Sequence, residues 1–118
     1  MKSLDLMNIT TTEQQDITII HLNGEVNGRT AATLHDTLLP LVEPGRKFLL
    51  DMDQVSHISA GGMRSLLLLC RELTNGGYRP SLINLNETNQ DTLSITGFLD
   101  FFASYDNLAD ALNSLAKQ

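Results

Sequence analysis

The chain's architecture is most legible between Lys47 and Leu73. Lys47-Phe48-Leu49-Leu50-Asp51-Met52 is followed by Asp53-Gln54-Val55-Ser56-His57-Ile58, then Ser59-Ala60-Gly61-Gly62, then Met63-Arg64-Ser65-Leu66-Leu67-Leu68-Leu69-Cys70-Arg71-Glu72-Leu73. The opening segment is a short, near-continuous apolar run, the pattern of a strand covered on both faces. The closing segment, Met63 to Leu73, places Met63, Leu66, Leu67, Cys70 and Leu73 on one helical face. Leu68 and Leu69 widen that face, which predicts a largely buried helix. Asn75-Gly76-Gly77 supplies its stop.

On the N-terminal side, Leu4 to Thr12 suits an extended edge strand. Ile17-Thr18-Ile19-Ile20-His21-Leu22 is a second, β-branched strand opened by Asp16 and closed by Asn23-Gly24. The polar break Glu13 to Asp16 between them is compatible with a hairpin. Ala31, Leu34, Leu38 and Leu41 then recur at helical spacing behind Thr30, a candidate cap, with Pro40 and Pro44-Gly45 limiting the helix. On the C-terminal side, Pro80 precedes a strand at Ser81 to Leu85. A weaker helix spans Glu87 to Thr96 with Gly97 as its stop, and Phe101-Phe102-Ala103 is a short extended piece. Asp106 caps a last helix carrying Leu108, Ala111, Leu112 and Leu115. Short buried strands alternating with helices predict an α/β fold: a mixed or mostly parallel central sheet of about five strands flanked by about four helices.

Composition bounds the function. The 118 residues have a mass of 13.0 kDa, which suits one domain, residues 1–118. Eight Lys+Arg against fourteen Asp+Glu, net −6, argue against a binder of phosphate backbones, so no nucleic-acid partner is expected. The single cysteine, Cys70, excludes an internal disulfide framework and a multi-cysteine zinc site. No apolar run reaches the roughly 18 residues of a membrane span, and Met1-Lys2-Ser3-Leu4-Asp5 has no signal-peptide core. The expected compartment is the cytoplasm, without membrane insertion.

Catalytic chemistry has little to stand on. His21, His35 and His57 show no i, i+4 pairing, so a metal site would need ligands from distant segments, and none is expected. His21 reads as a half-buried strand residue and His35 as a solvent-facing one beside Asp36. Asp51 and Asp53 follow the predicted strand end, where α/β folds place ligands, and could hold Mg²⁺. Equally, they terminate the strand by bonding local turn amides. Cys70 has neither a visible base nor a thiolate-stabilising neighbour and reads as core. No cofactor is indicated. Ser59-Ala60-Gly61-Gly62, between strand and helix, carries two readings. One is an exposed helix N-terminus that favours an anion or a phosphorylated serine. The other is a capping serine followed by glycines that permit a tight turn.

Four stretches together resemble the STAS domain, the fold of anti-sigma factor antagonists. Leu22-Asn23-Gly24-Glu25-Val26-Asn27 is similar to the family's L-x-G-E-L-D. The segment Leu49 to Ile58 resembles its hydrophobic strand and approach to the regulatory loop. Ser59-Ala60-Gly61-Gly62-Met63-Arg64-Ser65-Leu66 resembles the S-S-A-G-L-R-x-L loop and helix, and Ile95-Thr96-Gly97-Phe98-Leu99-Asp100-Phe101-Phe102 its x-T-G-L-x-x-x-F. The resemblance covers nearly the whole chain in register. It implies a non-enzymatic binding module that captures an anti-sigma factor, often itself a serine kinase, until a serine at the start of the second helix is phosphorylated. The same fold also serves as an accessory domain of transporters and sensory assemblies, binding an anion, a nucleotide or a lipid-linked partner.

This chain departs from the family pattern at the switch. The phosphoacceptor position falls on Ala60 or Gly61, neither of which has a hydroxyl; Ser59 is the nearest candidate, with Ser56 and Ser65 next. The family's Asp is Asn27 here. The resemblance places the partner surface on Asn27-Gly28-Arg29-Thr30, on the loop Ser56 to Gly62, including His57, Ser59, Ala60 and Gly61, and on an exposed helix face at Met63 and Arg64. The oligomeric state is left open.

Overall fold

A computed structural model describes residues 8–14, 16–41, 47–75, 80–97 and 102–116. Five strands form one sheet in chain order: β1 (Asn8–Gln14), β2 (Ile17–Val26), β3 (Lys47–Ile58), β4 (Ser81–Ile83) and β5 (Ala103–Tyr105). Four helices accompany it: α1 (Gly28–Leu38), α2 (Ala60–Asn75), α3 (Glu87–Ile95) and α4 (Leu108–Ala116). β1 pairs antiparallel with β2, and every later neighbour is parallel, so the sheet is mixed as expected.

Parallel strands laid down in sequence need crossovers of one hand, and crossovers of one hand put their helices on one face. The core divides accordingly. Ile20, Leu22, Phe48, Leu50 and Leu82 point toward α1, α2 and α3 with Leu34, Leu66 and Leu93. Ile17, Ile19, Leu49 and Ile83 point the other way, onto Ala111 and Leu115 of α4. The β-branched run of β2 therefore feeds both layers by simple alternation. None of the described helices is long and apolar enough to cross a membrane.

The elements match the sequence expectations in type and order but not at their ends. β3 does not stop at Met52; it runs to Ile58. On the face toward α1, α2 and α3 its buried positions shift from the alternation of Phe48, Leu50 and Met52 to three-residue steps, Met52, Val55 and Ile58. The pairing explains the change. His21 faces Asp51 but Asn23 faces Gln54, and Gly24 faces Val55 but Val26 faces Ile58. Twice, three residues of β3 span two of β2, and each extra residue breaks the period that marks a strand. Asn23-Gly24 likewise lies within β2, with Gly24 at φ 138°, instead of closing it.

Other boundaries move less. β1 continues to Gln14, β4 ends at Ile83 before Asn84 (φ 60°), and β5 sits at Ala103–Tyr105. Asn27, not Thr30, caps α1. In α4 the Asp110 amide donates to Asn107 Oδ1 at 2.9 Å, so the cap is Asn107, one residue beyond the expected Asp106. Residues 4–7, Pro44-Gly45, Gly76-Gly77 and Phe101 lie outside the described residues.

Candidate functional site

The carboxyl ends of β2 and β3 lead into α1 and α2, and the two turns are joined. The Ser59 amide donates to the Val26 carbonyl at 2.8 Å. A Cβ on Gly62 would overlap that same carbonyl oxygen and stand 2.8 Å from Asn27 Cα. Only glycine lets the first turn of α2 press on the end of β2 this closely. At Gly61 a Cβ would meet only ordinary contacts, 3.6 Å to the Gly28 amide nitrogen and 4.0 Å to Ser59 Oγ.

Each turn is built around a cap. Asn27 Oδ1 accepts the amides of Arg29 (3.0 Å) and Thr30 (2.9 Å), while the Asn27 amide donates to Thr30 Oγ1 at 2.8 Å, a reciprocal capping box. The Thr30 hydroxyl in turn donates to the Glu25 carbonyl at 2.6 Å. Ser59 Oγ accepts the Gly62 amide at 3.0 Å, and its carbonyl accepts the Met63 amide at 2.8 Å, so Ser59 caps α2. Neither helix has an acidic residue in its first turn. Two helix N-termini thus stand side by side with their positive dipole ends uncompensated by carboxylates of those turns.

The residues expected at the partner surface separate into two sets. Gly28, Arg29, Ser56, His57, Ala60, Gly61 and Arg64 are exposed, and Asn27 and Ser59 are half-buried. Thr30, Gly62 and Met63 are buried. The resemblance placed Met63 on an exposed helix face; it lies instead where the apolar helical stripe puts it, 5% exposed within the core, and accepts a hydrogen bond from Thr96 Oγ1 at 3.4 Å. Thr30 is 2% exposed and serves the capping box. Ser56 and His57 belong to β3 and not to a loop. Ser65 lies apart from the turn, half-buried in a groove of about 550 Å³ between α1 and α2 that also holds Ala32, His35, Leu68 and Glu72.

Two asparagines that the sequence reading did not single out hold the far side of the site. Asn86 caps α3 by accepting the Asn89 amide at 2.7 Å, and its Nδ2 donates to the Val55 carbonyl at 3.2 Å. Buried Asn89 donates to the same carbonyl at 3.0 Å. Their signal in the sequence was only a strand-to-helix junction rich in asparagine, Asn84 to Asn89.

The acidic and histidine candidates resolve into structural pairs. Asp51 and Asp53 sit mid-strand instead of at a strand end. Asp51 accepts from Asn84 Nδ2 (3.0 Å) and the Asp53 amide (3.1 Å), and pairs with His21 Nδ1 (2.8 Å). Burial pushes the Asp51 carboxyl up, but the hydrogen bonds from Asn84, Asp53 and His21 outweigh it and leave it below its ordinary value. His35 does more than face solvent: its Nε2 bonds Glu72 at 2.6 Å, and that bond, with Asp36 beside it, raises its pKa. Among the described residues no group of three His, Cys, Asp or Glu could hold a metal. Cys70 is buried.

Comparison with known proteins agrees with this geometry. BtrV of Bordetella bronchiseptica, named for anti-sigma factor antagonism, is 30% identical over 97 residues, 81% of this chain and 84% of that protein. The crystal structure of an anti-sigma factor antagonist from Mycobacterium paratuberculosis has the same fold, with a TM-score of 0.80 at 17% identity over 97% of both chains. The anti-sigma factor antagonist SpoIIAA, solved in its unphosphorylated form, superposes with a TM-score of 0.74 at 15% identity, covering 94% of this chain and 98% of that one. The STAS domain model matches residues 8–111, and with the paired strand–helix turns in place the chain belongs to the STAS domain family, of the anti-sigma factor antagonist kind.

Proposed function

We propose that the protein captures an anti-sigma factor with serine-kinase character through the surface formed by its two joined turns, and that phosphorylation of Ser59 releases it. The observation that carries this reading is the position of Ser59. It caps α2 while its amide is tied to Val26, so a change at its hydroxyl acts beside the exposed Gly28, Ala60 and Gly61. A phosphate there adds about −1.5 to −2 charge. Within the free domain two helix N-termini favour that charge. Against a partner shaped to the unmodified turn, the same charge must be desolvated and costs affinity. Backbone and small side chains dominate the surface, which suits close approach by another protein; Arg29 and Arg64 supply donors at its rim.

The test is titration calorimetry with an anti-sigma factor/serine kinase-like protein of the same organism, with and without ATP, followed by phosphopeptide mapping. Ser59→Asp keeps a capping side chain and adds charge, and should weaken binding at least tenfold at an unchanged melting temperature. Gly61→Glu should do the same. A phosphate found on Ser56 or Ser65 would reassign the switch, and binding by both variants equal to that of the parent would remove the surface.

A further inference from the structure

The two edges of the sheet are unlike. β5 ends one side with three residues, the short edge that protects natural sheets from pairing. β1 ends the other with seven, Asn8–Gln14, of which all but Ile9 are exposed. β1 follows β2 without any register shift, so no bulge twists its outer side away. It contains no proline, lysine or arginine, and Glu13 is its single charged residue. No described element pairs with that side.

We propose that the outer edge of β1 pairs antiparallel with the same edge of a second copy of this chain, about a two-fold axis at Thr11. The segment is chemically self-complementary in that register. Thr11 meets its own copy, and Thr10 meets Thr12. Ile9 meets Glu13, and the amides of Asn8 and Gln14 close the ends. Threonine pairs are favourable cross-strand neighbours, and no like charges stand opposite each other. Ile9, which packs against the core while only partly buried, gains cover from the facing strand. An isologous contact of this kind closes on itself and does not propagate. A single strand pair buries less than the roughly 1,000 Å² of a stable interface, so the dimer is weak and concentration-dependent. The edge is separate from the Ser59 turn, and the inference stands independently of the proposed function.

Sedimentation velocity on the full chain from micromolar to millimolar concentration tests it. The mass should rise toward that of two chains, and Thr11→Lys, which sets two cations face to face, should return the monomer without shifting the thermal transition. Thr11→Cys should form a covalent dimer on mild oxidation, because directly opposed residues lie about 4.5–5.5 Å apart, within disulfide reach. Thr10→Cys and Thr12→Cys should cross-link when mixed but not alone, and the unsubstituted chain, whose Cys70 is buried, is the control. A chain that stays monomeric throughout with no Thr11→Cys cross-link overturns the inference. So does a dimer that survives Thr11→Lys and does not cross-link at Thr11, since it must use another surface.

Discussion

The carbonyl of Val26 receives the amide of Ser59 at 2.8 Å, and the α carbon of Gly62 packs on that same peptide so closely that a methyl group there has no room. The end of β2 and the start of α2 are therefore one mechanical unit. A change in either turn is felt in the other, which is what a surface built from both requires.

The first consequence separates two adjacent glycines. Gly62→Ala forces backbone against backbone and should destabilise the fold by about 1–3 kcal/mol or more, as overpacking does. Gly61→Ala meets only ordinary contacts and should be neutral or stabilising, since alanine is the better helix former by up to about 1 kcal/mol. Urea unfolding of the two variants beside the parent decides it. Equal midpoints for both would mean that the turn relaxes.

The cap of α1 can be dissected in the same way. Asn27→Ala removes the acceptor of two amides and should cost about 1 kcal/mol, within the usual range for lost caps. Asn27→Asp preserves the acceptor and adds charge favourable to the helix dipole, so its stability should equal or exceed the parent's. Thermal melts of both variants check the ordering.

Thr18 is 2% exposed, and its hydroxyl finds no hydrogen-bond partner among the described residues. Thr18→Val keeps the shape and removes the desolvated oxygen. A gain of about 1 kcal/mol is expected, the lower part of the cost of an unsatisfied buried group. A loss on chemical denaturation would show that the hydroxyl is in fact satisfied.

Asp51 gives acid sensitivity with a definite sign. Its folded pKa lies below the ordinary 3.8, so its contribution is fully present above 3.8 and is lost as pH falls through the lower folded value. Asp51→Asn should therefore be less stable than the parent at neutral pH, with the gap narrowing toward pH 2. Denaturation midpoints at both ends of that range test the trend.

His35 behaves oppositely. Its folded pKa is raised above 6.5, chiefly by the Glu72 hydrogen bond, so the stability it adds is present below 6.5 and lost as pH rises through the folded value. The pair is largely solvent-exposed, so the effect is small and fades with salt. NMR titration of the His35 ring should show Glu72→Gln bringing the pKa back toward 6.5.

Much of this was legible in the residues. The β-branched run of Ile17 to Leu22 marked a strand, the spacing of Ala31, Leu34 and Leu38 a helix, and Met63 to Leu73 a second helix that buries Met63, Leu66 and Cys70, although Leu68, expected to widen the buried face, is 55% exposed. Cys70 reads as core from its neighbours and is core. Each of these rests on periodicity along one element, which a linear chain displays directly.

The missed features share one cause. β3 read as ending at Met52 because its two extra residues against β2 spoil the period, and only the partner strand reveals them. The family resemblance put Met63 and Thr30 at the partner surface, yet Met63 lies in the core beside Thr96 and the Glu25 carbonyl binds Thr30. Element type and order follow from local patterning and were determined by the amino-acid sequence alone. Which atoms face water, which glycine is irreplaceable and which carboxylate meets His21 were decided by the tertiary structure, because each depends on what another segment places opposite.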